Sequence, residues 1–138
     1  MTKTGTEIML DFYTMLSNSS IVDEISGKIY YDGQRPRDSV LEDIIIIFTE
    51  ADAAQVQSGT ITLNLYVPFI YNSSDGVAVD NTYRCKVLER LMSDTIDTFT
   101  AAKSNYKIKL KKAIHSQRDE DINQSFITAR LDFSFFER

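Results

Sequence analysis

The chain has 138 residues, of which 43% are hydrophobic and 25% charged, with 5 Gly and 2 Pro. That is the profile of one folded domain, here residues 1–138, in the usual range of roughly 100–200 residues. Its 15 Lys+Arg against 20 Asp+Glu leave a net charge of -5, which argues against free, high-affinity binding to nucleic acid. The longest apolar run, Ile44 to Phe48, is far short of the ~20 residues of a membrane span. The opening MTKTGTEIML lacks the apolar segment of a signal peptide, and the lone Cys85 makes no internal disulfide. Secreted and membrane classes are therefore set aside.

From Thr4 to Ser17 the pattern predicts a helix. Thr4 and Glu7 have capping-box spacing, and Ile8, Phe12, Met15 and Leu16 share one face. Ser17-Asn18-Ser19-Ser20 stops it, and a short apolar piece (Ile21, Val22, Ile25) ends at Gly27. Ile29-Tyr30-Tyr31 reads as a strand closed by Asp32-Gly33. A polar loop, Gln34 to Ser39, follows. Asp43 to Thr49, with its four isoleucines, reads as a strand buried on both faces. After a small-residue loop from Ala51 to Gly59, Thr60 to Val67 alternates without a break, and Pro68 marks where regular pairing fails.

The segment 71–80 reads as a loop around Asn72-Ser73-Ser74-Asp75-Gly76. A second helix is predicted from about Thr82 to Thr100, capped by Asp80 or Asn81. Its expected buried stripe is Val87, Leu88, Leu91, Met92, Thr95, Ile96 and Phe99. Tyr106, Ile108 and Leu110 then alternate with Lys107, Lys109 and Lys111. After a charged bend at Gln117–Asp121, residues Ile127 to Phe135 form the last strand. The sum is an α+β fold, a mainly antiparallel sheet of about five strands with two helices packed on one face.

The chemistry-bearing residues assemble into no recognisable catalytic, cofactor-binding or metal pattern. His115 is the only histidine and reads as an exposed or edge-strand residue rather than a base. No Gly-x-Ser-x-Gly elbow is present. Cys85 lies in the first turn of the second helix, where the helix dipole would lower its pKa; a packed, idle thiol is the plainer reading. Asp119, Glu120 and Asp121 lack calcium-loop spacing and read as a solvated turn. The expectation is a protein that is not an enzyme.

What remains favours assembly. With seven Tyr and eight Phe, several aromatics fall off the core alternation: Tyr66, Tyr71, Phe126 and Phe136. Such residues often mark subunit contacts, and Arg35 and Arg37 join them as candidate interface residues. The loops at 34–42, 50–58 and 71–80 are longer than usual, and either dock onto neighbours or are solvated excursions. Lys107 to Lys112 is either a basic patch for acidic protein or nucleic acid, or an edge strand protected against aggregation.

The element order, with Gly27-Lys28-Ile29-Tyr30, the loop Gln34-Arg35-Pro36 and the two central strands, resembles the tail-terminator, or tail-completion, proteins of tailed bacteriophages. The chain departs from that pattern at Asp38-Ser39-Val40-Leu41, where a second proline is usual, and in its aromatic last strand. The resemblance implies a virion protein at the head–tail or neck–tail junction, forming a cyclic homo-oligomer (a hexamer or dodecamer) around the DNA channel. It further implies contacts with portal, neck or tail-tube proteins, no cofactor, and no catalytic residues. A net acidic conduit would let DNA pass without tight phosphate contacts, with Asp119, Glu120 and Asp121 as candidate lumen-facing acids. The alternative is a small binding module that uses the Lys107–Lys112 strand.

Overall fold

A computed structural model describes residues 2–136. Helix α1 (Gly5–Ser17) begins where the capping box requires it. Thr4 accepts from the Glu7 amide, and the Glu7 carboxylate accepts from the Thr4 amide, an arrangement worth about 1 kcal/mol. A four-residue helix, α2 (Ile21–Glu24), follows. Strand β1 (Ile29–Tyr31) leads through a loop to β2 (Ile44–Ala51), and β3 (Gln57–Pro68) follows. Two short strands, β4 (Ile70–Tyr71) and β5 (Ala78–Val79), precede the long helix α3 (Thr82–Ala101). The chain ends in β6 (Tyr106–Leu110), β7 (His115–Asp119), a 3-10 turn (Glu120–Ile122) and β8 (Gln124–Phe135).

The fold is α+β, with a six-stranded main sheet in the order β1-β2-β3-β8-β6, while β7 pairs with β8 beside β6. All pairings are antiparallel except β1 with β2. The central pair, β3 and β8, is in register from Gln57↔Phe135 to Pro68↔Gln124. Pro68, with no amide to donate, takes the terminal pair, as expected of a strand proline. Hairpin β4–β5 forms a separate two-stranded sheet. Among the described residues no helix is long and apolar enough to cross a membrane.

Alternation decides which face is covered. Ile44 and Ile46 on β2, Ile61, Leu63 and Leu65 on β3, and Ile127, Ala129 and Leu131 on β8 belong to one core. Phe12 and Leu16 of α1 and Leu88, Met92 and Ile96 of α3 close it from above, fully or almost fully buried. Each such large side chain contributes roughly 1.5–3 kcal/mol. Phe12 meets Tyr106 and Phe133 edge to face, with ring centroids 5.6 and 5.9 Å apart. The opposite face carries Thr60, Thr62, Tyr66, Phe126, Thr128, Lys107 and Lys109, and among the described residues no helix covers it.

Four details of the expected fold are adjusted. The charged bend expected at Gln117–Asp121 is largely strand β7, so the sheet of about five strands has six, and the bend is confined to the 3-10 turn at Glu120–Ile122. The loop 71–80 contains strand residues. Of the stripe expected for α3, Val87 is 37% exposed and Cys85 is buried in its stead. The isoleucine strand is buried on both faces only over its first three residues.

Candidate functional site

One end of the sheet gathers most of the loops: the start of β2, the end of β3, the hairpin β4–β5, the start of α3 and the turn before β8. Two buried carboxylates hold these together. Asp43, fully buried, accepts from the Lys28 amide at 2.9 Å, from Arg35 Nε at 2.8 Å and from the Ser39 hydroxyl at 2.5 Å. The Arg35 guanidinium reaches on to Gln124 Oε1 (2.8 Å) and the Leu41 carbonyl (3.1 Å). Gln124 donates back to the Ser39 carbonyl at 2.7 Å. Loop 32–43 is thereby tied across the sheet to β8.

Glu42 points the other way. It takes Arg84 Nε and Nη2 at 2.7 and 2.8 Å and the Ser26 amide at 3.1 Å. The bidentate guanidinium contact is the main reason its pKa falls below the ordinary value, because hydrogen bonds to the charged form favour it. Arg84 also donates to the Glu24 carbonyl at 2.7 Å, so one ion pair joins α2, the β2 start and α3. Gly27 packs against the Asp43 carboxylate and the Glu42 main chain. A Cβ there would lie 2.0 Å from Asp43 Oδ1 and 2.6 Å from the Glu42 carbonyl oxygen.

The residues singled out from sequence are dispersed around this frame. Tyr66 and Phe126 pair across β3 and β8 on the helix-free face, with ring centroids 5.7 Å apart and both rings half-buried. Arg35 stacks on Tyr66, its guanidinium carbon 4.1 Å from the ring centre, which is a cation–π contact. Arg35 is therefore not a free surface cation: its pairing to Asp43 and Gln124 positions a loop. Arg37, two residues on, is exposed. Tyr71 is 69% exposed on the hairpin. Phe136 is half-buried at the opposite end of the sheet, its amide bonded to the Asn105 carbonyl.

Asp119 closes β7, and Glu120 and Asp121 are exposed on the turn. Arg118 lies 3.5 Å from Glu120 and 3.0 Å from Asp80, so the cluster is partly neutralised. Lys107 and Lys109 are exposed beside Asp132 and, with Lys111, Thr60 and Glu50, line a concavity of about 530 Å³. His115 is exposed at the start of β7, its Nδ1 3.1 Å from the Ala113 carbonyl. Cys85 is buried, as the plainer reading of a packed thiol has it, and burial raises its pKa by desolvating the thiolate. Among the described residues no three His, Cys, Asp or Glu are grouped to hold a metal ion.

The sequence reading picked out Tyr71 and the 71–80 loop but missed the exposed apolar residues around them. Ile70 (48%), Tyr71, Val77 (54%) and Val79 project from the hairpin, and Tyr83 (78%) follows in the first turn of α3. Val40, Leu41 and Ile122 are exposed at the same end. The signal was present as Ile70-Tyr71 and Val77-Ala78-Val79 flanking Asn-Ser-Ser-Asp-Gly, but two-residue strands carry too little periodicity to read. The chain matches no protein-family model and no curated protein sequence.

Proposed function

We propose that this protein is a structural subunit of a closed ring at the head–tail or neck–tail junction of a tailed bacteriophage, surrounding the DNA channel. The observation that carries this reading is the concentration of exposed Ile70, Tyr71, Val77, Val79 and Tyr83 at one end of the sheet. A surface of that kind is characteristic of a subunit contact. The internally bonded frame of Asp43, Arg35, Glu42 and Arg84 supports it, because it holds the loops at that end in one geometry. The acidic balance of the chain suits a channel through which DNA slides. Portal, neck or tail-tube proteins are the expected neighbours, and the virion is the expected location.

Light scattering over a concentration series, with negative-stain electron microscopy of the largest species, tests this. Closed rings with a central opening are expected. A closed two-fold dimer as the largest species would sink the proposal.

The second reading is a binding module for polyanions, favoured by the concavity that Lys107, Lys109 and Lys111 line. It predicts a salt-dependent mobility shift of DNA that Lys107→Glu with Lys109→Glu abolishes. Glu50 and Asp132 in the same concavity weigh against it.

A further inference from the structure

We propose that hairpin β4–β5 is an arm that inserts into a groove on a second copy of this chain, between α3 and the β6–β7 edge. The inference rests on the ring reading and names its contact surfaces.

The arm is preformed. Asn72 donates to the Val77 carbonyl at 2.8 Å and accepts from the Gly76 amide at 2.8 Å, while the Asp75 carboxylate takes the Val77 amide at 3.0 Å. Gly76 supplies the left-handed turn residue, with φ 71°. Pairing of Ile70 with Val79 and of Tyr71 with Ala78 puts Ile70, Val77 and Val79 on one side and Tyr71 on the other. Both sides thus present large apolar groups to solvent. A two-stranded hairpin is marginal in water by itself, so a surface covering this one would add to its stability. Its own copy provides none, since those side chains remain exposed.

The groove has the complementary character. Chain pairing along β8 is interrupted between β6 and β7, and the interruption opens a depression of about 700 Å³ beside α3. Tyr83, Val87, Leu110, Ala113 and Ile114 line it with apolar surface, alongside Lys86, Arg90 and Ser93. Glu89 in the same lining accepts from the Ser116 hydroxyl, which does not neutralise it, but Lys86 and Arg90 outnumber it. Asp75, at the tip, is the only charged residue between Ile70 and Val79. An apolar arm with one acid at its tip matches a groove whose apolar lining carries a net positive charge, and this charge complementarity selects a second copy as occupant. Arm and groove are built from different residues, so the contact can run head-to-tail, as the ring reading requires, and then propagates into a ring when the rotation closes; a reciprocal exchange of arms would instead stop at a two-fold dimer.

The test uses two substitutions at exposed positions, Val77→Asp on the arm and Val87→Asp in the groove, with circular dichroism and melting temperature as controls for folding. Each alone is expected to weaken association at least ~30-fold, as for an interface hot spot. Mixed one to one, they are expected to form a dimer and nothing larger, because each variant keeps the surface that the other has lost. If Val87→Asp fails to fold, Val77→Asp and Asp75→Lys, both on the exposed turn, carry the test. Wild-type-like assembly of the single variants would overturn the arm–groove contact and leave the ring reading standing. A mixture that stays monomeric while the wild type assembles would overturn the head-to-tail geometry. A wild-type chain that is monomeric up to about 1 mM would overturn both.

Discussion

Replacing Asp43 by Asn keeps the side-chain volume and removes one charge. The carboxylate is fully buried and accepts three hydrogen bonds, from the Lys28 amide, Arg35 and Ser39. An amide offers one acceptor oxygen, so its NH2 must face either the Lys28 amide or the Arg35 guanidinium, donor against donor. Arg35, its side chain 13% exposed, would keep its charge with only Gln124 and main-chain carbonyls to receive it. Breaking one partner of a buried pair costs about 3–5 kcal/mol. Because Arg35 retains those neutral acceptors, the lower half of that range is expected. For a chain of this size each kcal/mol lowers the melting temperature by roughly 2–4 °C. Urea unfolding followed by circular dichroism measures the loss, and a double-mutant cycle with Arg35→Gln isolates the coupling. A loss below about 1 kcal/mol, or additive single and double variants, would refute the claim that this pair holds loop 32–43 to the sheet.

Two further predictions follow from the same end of the sheet. Glu42 has a folded-state pKa below its unfolded value because of Arg84 and the Ser26 amide. Its stabilising contribution is therefore complete above the unfolded value of about 4.5 and is lost as pH falls through the folded one. The melting temperature of Glu42→Gln should lie below wild type at pH 7 and converge on it as the pH falls below 4.5; a constant gap would contradict this assignment. Gly27→Ala drives a methyl group to 2.0 Å from Asp43 Oδ1, and should destabilise by about 1–3 kcal/mol. Unfolding of Gly27→Ala at the wild-type denaturant midpoint would show that the Asp43 side chain and the Glu42 main chain yield freely to the added methyl group.

The sequence alone determined most of the local elements and, for these, the side that meets the core. The capping box at Thr4 and Glu7, the alternation of Ile61, Leu63, Leu65 and Val67, and most of the α3 stripe were legible because they are periodic or fixed in spacing. Such signals depend only on a residue's near neighbours. Tertiary structure decided the rest. Strand β7 was hidden because His115–Asp119 is polar throughout, being an edge segment that owes its form to pairing with β8. The ties from Arg35 to Gln124 and from Arg84 to Glu42 span 89 and 42 residues, beyond any local pattern. Whether an aromatic packs within the fold or stands in solvent was decided the same way. Tyr66 pairs with Phe126 beneath Arg35, while Tyr71 stands in solvent on a hairpin too short to be read from its own residues. Exposure is a property of what lies across the fold, and a linear chain does not record it.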